Sequence, residues 1–279
     1  MNSNNITNVA LYLVPTPIGN FEDMTFRSID VLKSVDIILC EDTRNTKVLC
    51  SHFDIKTPLM AYHIFNENDK CEDIINLLNE GKKIALVSDA GLPSISDPGY
   101  LITKKAIANG FEVTALPGAS AGITALVASG LPCDKFMFYG FLDHKKSQKK
   151  KELTNLVDFD KTIIFYESPH RMLETLEVMY EVYKDRNIVI ARELTKKFEE
   201  YVRGNIKDII KRDLTLKGEF VILVEGAKKE SIAIDLNEKS IQEHFDYYKT
   251  LGNSDMEAMK LVAKDRGVSK SVIYAEIKK

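Results

Sequence analysis

The sequence predicts an α/β protein with a mainly parallel N-terminal sheet, a second α/β domain and a small helical tail. Strand-like and helix-like segments alternate through residues 9–116, which is typical of parallel strands joined by helices. Short strands and helices begin again after residue 135, and the composition changes near residue 228. We therefore predict an N-terminal α/β domain at 1–130, a second α/β domain at 131–227 and a helix-turn-helix-like tail at 228–279.

Each strand of the first sheet is a short apolar run that ends in turn-forming residues. The runs are 9–14, 36–40, 58–62, 84–87 and 111–116, and such bounded runs indicate strands. One helix is predicted to begin after Thr25, which is a typical N-cap residue. Two more are predicted over 69–80 and 100–109, and each of these two is followed by Gly. Because the carboxyl ends of parallel strands share one edge, the loops PTPIGN, EDTR, SDAGLPSISDPG and PGASAG are expected to face one cleft.

The loop after the fourth strand is rich in groups that suit a ligand site. Residues 84–99 read IALVSDAGLPSISDPG, in which Asp89 and Asp97 offer acceptors for hydroxyl or amine groups. Gly91 and Gly99 allow the backbone to approach a ligand closely. A rigid crossover loop with Asp at turn positions has the same composition, so the residues alone leave both interpretations open.

The second half predicts a hinge, a further set of short elements and two tail helices. GLPCD at 130–134 is typical of an interdomain hinge; strands are predicted at 136–141, 161–166, 187–191 and 218–225, and helices at 148–158 and up to residue 183. The tail spacing is that of a helix-turn-helix, with a stabilising helical hairpin as the alternative. Its predicted positions are Ala258, Leu261, Val262 and Ala263 on one apolar face, a turn at Gly267, a cap at Ser269, and Val272, Ile273 and Ala275 on the second helix.

Composition excludes several classes of function. No run of eighteen apolar residues predicts a membrane span, and the polar N-terminus does not have the pattern of a signal peptide. The four Cys are scattered without a CxxC pair and the five His lack metal spacing, so we predict reduced thiols in a cytoplasmic protein and no metal. The motifs GxGxxG, GxxxxGK[ST] and GxSxG do not occur, which disfavours dinucleotide-hydride enzymes, phosphate-loop NTPases and serine hydrolases.

A run of lysines follows the strand at 136–141. It suits contact with RNA phosphates, and a solvated loop is the alternative interpretation. The run comprises Lys145, Lys146, Lys149, Lys150 and Lys151.

Seven motifs in fixed order resemble the tetrapyrrole-methylase superfamily, the class III methyltransferases. They are VPTPIGN, CEDTR, VSDAGLPSISDPGY, LPGASA, FYESPHR, ARELTKKFE and LKGEFVILVEG, and they span residues 9–227. The resemblance implies a two-domain, usually homodimeric S-adenosylmethionine enzyme with its cofactor in the interdomain cleft. It is strongest to the branch that methylates a cytidine ribose 2′-hydroxyl in 16S ribosomal RNA of the small subunit. PTPIGN replaces the superfamily's GxGxGD loop, which separates this branch from the porphyrin methylases.

The resemblance also implies which residues hold the cofactor. The first-domain positions are Pro17, Ile18, Asp89, Gly91, Leu92, Ser120 and Ala121, and the second-domain positions are Tyr166, Glu167, Leu194 and Phe220.

Methylation of a hydroxyl also needs a positioned acceptor, and a general base helps. Candidate bases at the strand ends are Glu41 and Asp42, then His63 and Glu67, and Arg44 would orient the acids or bind a phosphate. From the second domain, Arg171 and Arg192 would face the same cleft and contact RNA. Each of these residues has a salt bridge at the edge of the cleft as its alternative role. A methylase acting on a tetrapyrrole or a protein is the alternative function, and an inactive nucleic-acid-binding relative is another.

Overall fold

The computed structural model describes residues 8–228 and 236–278. Five strands form the first sheet in the order β3-β2-β4-β1-β5, and all neighbours are parallel. The strands are β1 (Val9–Leu13), β2 (Ile37–Cys40), β3 (Leu59–Ala61), β4 (Ile84–Leu86) and β5 (Glu112–Ala115). The predicted parallel sheet is therefore confirmed, and β4, buried along its whole length, lies at its centre.

Five helices accompany this sheet. They are α1 (Phe26–Ser34), α2 (Thr43–His52), α3 (Glu67–Asn79), α4 (Tyr100–Ala108) and α5 (Ala121–Ser129). Helices α1, α3 and α4 lie where the sequence predicts them, and the Thr25 side chain caps α1 by accepting from the Ser28 N–H. Helices α2 and α5 were not predicted. Helix α2 buries a single stripe at Thr46, Leu49 and Cys50 within a mostly polar sequence, whereas α5 is apolar on nearly all sides and lacks an amphipathic period.

The second sheet is mixed, in the order β6-β7-β10-β8-β9. Only β6 and β7 run parallel, and the other neighbours are antiparallel. Its strands are β6 (Phe136–Phe141), β7 (Thr162–Glu167), β8 (Asn187–Arg192), β9 (Glu200–Asn205) and β10 (Phe220–Val224), and its helices are α6 (Lys146–Asn155), α7 (Met172–Tyr183) and α8 (Ile206–Ile209). The α/β character of this half is confirmed. Strand β9 was missed because EYVRGN is a polar edge strand, and α8 was missed because it has only four residues.

Helix α5 joins the two halves. It precedes the predicted hinge in the chain, yet Ala125 and Leu126 pack with Ile164 of β7 and Val221 of β10. Ile18, from the loop after β1, belongs to the same apolar cluster. The two sheets therefore share a core at the place where their loops meet, and the predicted boundary at residue 130 stays a prediction.

The described part of the tail has three packed helices, α9 (Ile241–Thr250), α10 (Asp255–Asp265) and α11 (Lys270–Ile277). Ala258, Val262 and Ile273 are buried in their shared core, as predicted. Val272 and Ala275 are exposed instead, because Ile273 is the residue that faces the bundle. Ser269 stands at the N-cap of α11, but its hydroxyl bonds that of Ser271 rather than the helix backbone.

Candidate active site

A cavity of about 340 Å³ lies where the first-sheet loops meet the second sheet. Nine of the eleven residues predicted to hold the cofactor line it. They are Ile18, Gly91, Leu92, Ser120, Ala121, Tyr166, Glu167, Leu194 and Phe220. The other two, Pro17 and Asp89, line a smaller adjoining hollow of about 70 Å³ beside Asn45. The structure thus brings the predicted residues together around one cleft.

Two loops of the first sheet are fastened to each other at the cavity wall. The Thr16 N–H donates to the Gly91 carbonyl at 2.9 Å, and the Gly91 N–H donates to the Thr16 carbonyl at 3.0 Å. The Thr16 hydroxyl donates to the Ser88 carbonyl, and the Ser88 hydroxyl donates to the Gly91 carbonyl. Gly91 has φ +80, a conformation that favours glycine. The PTPIGN and SDAG motifs therefore form one rigid corner.

Asp89 joins this corner to the start of α2. One carboxylate oxygen accepts from the Asp42 N–H at 3.3 Å, and the other accepts from the Asn45 amide at 2.9 Å. Asp42 is the N-cap of α2, where its carboxylate accepts from the Arg44 N–H and pairs with the Arg44 guanidinium at 2.6 Å. The Arg44 side chain remains 89% exposed, so its outer face is open to a phosphate.

The carboxyl groups of this region differ in pKa. Hydrogen bonds from Arg44 lower the pKa of Asp42 to about 2, so it stays ionised and is a weak base at neutral pH. Burial, followed by the charge of Asp89, raises the pKa of Glu41. Burial and the charges of Glu41 and Asp89 raise the pKa of Asp97 to about 6.

His63 and Glu67 lie beside β3 and do not line the cavity. The His63 N–H donates to the Asn66 side chain, and the Tyr62 hydroxyl donates to Glu67 at 3.5 Å. His63 is nevertheless close enough to Glu41 to lower the pKa of that carboxyl. The structure places both residues at the outer margin of the site.

Glu167 reaches the cavity wall, but its carboxylate turns toward the interior of the second half. One oxygen accepts from the Ser168 N–H at 2.8 Å and the other accepts from the Thr175 hydroxyl at 2.6 Å. Lys149 donates to Thr175 at 2.9 Å and to Glu174 at 2.7 Å. A buried chain of hydrogen bonds therefore runs from α6 through α7 to the wall of the cavity.

This chain corrects the prediction for Lys149. Its side chain is 0% exposed and paired with Glu174, so its ammonium cannot reach an RNA phosphate. Within the same run, Lys145, Lys146, Lys150 and Lys151 are exposed, and Lys150 pairs with Glu181 at 2.8 Å.

The two predicted RNA-contacting arginines have partners in the fold. Arg171 donates to the Leu142 carbonyl at 2.6 Å and to the Asp143 carbonyl at 3.0 Å. Arg192 donates to Glu200 at 3.0 Å. Their side chains are only 18% and 13% exposed, so in this structure both serve to hold loops and strands.

Asp97 and Glu219 also line the cavity. Asp97 was predicted as an acceptor in the ligand-binding loop but was given no cofactor or catalytic role, and Glu219 was not predicted. Asp97 belongs to the SDPG turn of the long loop, a motif that can be recognised in the sequence. Glu219 lies in the strand-like segment GEFVILVE, which carries no motif that marks a site. Among the residues described, no group of three or more His, Cys, Asp and Glu side chains is placed to hold a metal ion. No helix in the same residues has the length and apolar character to cross a membrane.

The chain matches a known protein family over most of its length. The family described as Tetrapyrrole (Corrin/Porphyrin) Methylases matches residues 10–210, and the chain belongs to this family. Solved structures that share its fold include two methyltransferases. The methyltransferase CobJ has a TM-score of 0.59 at 20% identity, with 78% of this chain and 95% of that chain covered. Uroporphyrin-III-C-methyltransferase from Thermus thermophilus has a TM-score of 0.55 at 18% identity, with 77% and 93% covered.

More similar relatives define a particular branch. The chain is 51% identical to ribosomal RNA small subunit methyltransferase I of Bacillus subtilis over 271 residues, which cover 95% of this chain and 92% of that protein. It is 48% identical to the protein of the same name from Halalkalibacterium halodurans, with 95% and 93% covered. The match extends beyond the family's shared region into the helical tail, so it covers the whole architecture.

Proposed function

We propose that this protein transfers a methyl group from S-adenosylmethionine to the ribose 2′-hydroxyl of a cytidine in 16S ribosomal RNA of the small subunit. The observation that carries the proposal is the 51% identity, over nearly the full length of both chains, to a ribosomal RNA small subunit methyltransferase I. A tetrapyrrole acceptor has less support, because the structurally similar uroporphyrin-III-C-methyltransferase and cobalt precorrin-4 methyltransferase are only 18% and 17% identical to this chain.

The cavity fits S-adenosylmethionine in size and in chemistry. Its volume of about 340 Å³ lies in the range of about 300–1,000 Å³ typical of cofactor sites. Apolar walls from Ile18, Leu194 and Phe220 suit the faces of an adenine ring, and backbone carbonyls and carboxyl groups suit the ribose diol and the cationic parts. When bound, S-adenosylmethionine would supply an electrophilic methyl group on a sulfonium.

In this proposal the chain's own residues position the acceptor. Asp89 fixes the β4 loop to the start of α2 through the Asp42 N–H and the Asn45 amide. Asp42 orients the Arg44 guanidinium rather than taking a proton, because its pKa of about 2 makes it a poor base. Arg44 then presents an exposed cation to the RNA backbone beside the cavity. Glu41, His63 and Glu67 would support this acceptor side.

The exposed lysines near the start of α6 extend the RNA surface in this proposal. Lys145, Lys146, Lys150 and Lys151 remain in it, and Lys149 leaves it because it is buried. Each phosphate contact that they make would add to the salt dependence of binding.

We further propose that the protein is a cytoplasmic homodimer. Exposed apolar side chains on α5 and on the edge strand β6 support a partner surface, because large exposed apolar residues mark interaction sites. Val127 of α5 is 71% exposed and Phe136 of β6 is 41% exposed. Gly122 of α5 lies beside the Phe138 ring, so the two elements form one continuous face. Light scattering on the purified protein tests the dimer.

Methyl transfer from tritiated S-adenosylmethionine tests the proposed reaction. Small ribosomal subunits, a porphyrin precursor and a protein mixture are offered in parallel, and binding of the donor is followed by calorimetry. We expect label in 16S RNA, with mass spectrometry locating the methyl group on a cytidine ribose. Label in the porphyrin or the protein would favour the alternative acceptors, and donor binding without transfer would favour an inactive RNA-binding relative.

A further inference from the structure

Four titratable side chains line the cavity: Asp97, Tyr166, Glu167 and Glu219. The carboxylate of Glu167 is bound inward by α7, as described above. The carboxylate of Glu219 pairs with Lys196 at 2.9 Å. Glu167 is therefore committed to the fold, and Glu219 is an exposed carboxylate that already has a cation as its partner.

Tyr166 is also committed. Its hydroxyl accepts from the Gly122 N–H at 3.2 Å, at the start of α5. Burial raises the pKa of Tyr166 above its ordinary value, so the phenol keeps its proton at neutral pH and cannot accept another.

Asp97 differs from the other three. No cation or hydrogen-bond donor among the described residues contacts its carboxylate, and its charged neighbours are the carboxylates Glu41 and Asp89. On the second-sheet side it lies within electrostatic reach of Tyr166. Asp97 therefore stands at the junction between the cavity and the side where Arg44 would hold the acceptor.

The loop around Asp97 is built to hold this position. The Ser94 N–H donates to the Pro98 carbonyl at 3.2 Å and closes a tight turn. Ser94 and Ser96 have φ +72 and +63, a conformation that serine rarely adopts. Such strain persists only where the surrounding structure enforces it, and it is common at functional sites.

We propose that Asp97 is the general base of the methyl transfer, an inference that rests on the function proposed above. The O–H bond of the acceptor ribose breaks, and its proton passes to a carboxylate oxygen of Asp97. The hydroxyl oxygen bonds to the methyl carbon, while the methyl–sulfur bond breaks and its electron pair stays on sulfur, leaving a neutral thioether. Charge and atoms balance without a further reactant.

The electrostatics of the site agree with this role. A base works best when its pKa lies near the working pH, and burial together with Glu41 and Asp89 brings the pKa of Asp97 to about 6. The other titratable groups within electrostatic reach of these carboxyls are Tyr166 beside Asp97, His63 and Asp42 beside Glu41, and Arg44 and Cys40 beside Asp89. Asp97 is thus mostly ionised at neutral pH yet a stronger base than an ordinary aspartate.

Asp97→Asn tests the inference with small ribosomal subunits as acceptor. We expect turnover to fall by about a hundredfold or more, the scale of a positioned general base. We expect the affinity for S-adenosylmethionine, measured by calorimetry without RNA, to change by less than about threefold. Wild type should lose activity below about pH 6, whereas the residual activity of Asp97→Asn should lack this acidic limb. Asp134→Asn, in the exposed hinge segment, is the matched control for the charge change.

Several results would overturn the inference. Turnover of Asp97→Asn within threefold of wild type would remove Asp97 from the chemistry. A large loss of S-adenosylmethionine affinity would show that Asp97 holds the donor instead, and an unchanged acidic limb in the variant would assign the base elsewhere. A wild-type protein that binds S-adenosylmethionine but does not methylate small subunits would instead contradict the proposed function.

Discussion

Asp97→Asn should also stabilise the fold, and the gain should grow with pH. In the native protein the pKa of Asp97 is raised from 3.8 to about 6, so the folded state binds this proton more tightly than the unfolded chain. The stability that the protonated carboxyl provides is fully present below about pH 4 and is lost as pH rises through about 6. Asparagine is neutral at every pH, so the variant does not lose this stability as pH rises.

The magnitude follows from the same pKa values. At about 1.4 kcal/mol per pH unit, the full titration corresponds to roughly 3 kcal/mol, of which about 2 kcal/mol fall between pH 4.5 and pH 8. The carboxyl of Asp97 is partly exposed, so water weakens its repulsion by Glu41 and Asp89 and reduces this value. We therefore expect the stability difference between variant and wild type to increase by about 1 kcal/mol over this interval.

Urea unfolding at pH 4.5 and pH 8 measures this difference. Asp54→Asn is the control for the same charge change, because Lys56 lowers the pKa of Asp54 below its ordinary value. That carboxylate is ionised in both the folded and the unfolded chain above about pH 4, so its removal should change stability by the same amount at pH 4.5 and at pH 8. A stability difference for Asp97→Asn that stays constant with pH, or that falls as pH rises, would refute the electrostatic argument.

Three further predictions concern the wall, the corner and the acceptor side of the site. Lys149→Ala should lower the free energy of unfolding by about 2–3 kcal/mol, since three buried methylene groups are lost. Lys149→Met should lower it by less and should leave the salt dependence of subunit binding unchanged. A weaker salt dependence in Lys149→Met would instead show that Lys149 contacts RNA. Asp89→Ala should weaken S-adenosylmethionine binding about tenfold or more in calorimetry, because the corner loses both of its links to α2, and normal affinity in the folded variant would contradict the predicted role. Arg44→Ala should reduce turnover about a hundredfold with donor affinity retained, and turnover within twofold of wild type would exclude it from acceptor positioning.

The fold was largely predictable because its signals are local. Strands β1, β2 and β4 are short apolar runs that end in Pro, Gly or Asp, and α1 begins at a capping Thr. Helix α5 was not predicted because it is apolar on nearly every side, which removes the periodicity that marks a surface helix. Its apolar character makes sense only once the second sheet is seen to pack against it, and that contact is not encoded locally.

The site was predictable in position and less so in the roles of individual residues. Loops at the carboxyl ends of parallel strands converge for topological reasons, so the cavity residues could be named from motifs. Charged side chains cannot be assigned in this way, because their role depends on partners distant in sequence. Lys149 looks like its neighbours in the run, yet Glu174, twenty-five residues later, holds it inside.

The charged side chains around the cleft form two groups: some are paired within the fold, and others are left without a full set of partners. Arg171, Arg192 and Lys149 donate to carbonyl or carboxylate oxygens and link elements of the second half to one another. Arg44 is held from one side only, and Asp97 has no cationic partner among the described residues. A charge with a satisfied partner has little left to offer a substrate, while an unsatisfied charge is destabilising and persists where function requires it. The chemistry of this cleft is therefore best sought at Arg44 and Asp97.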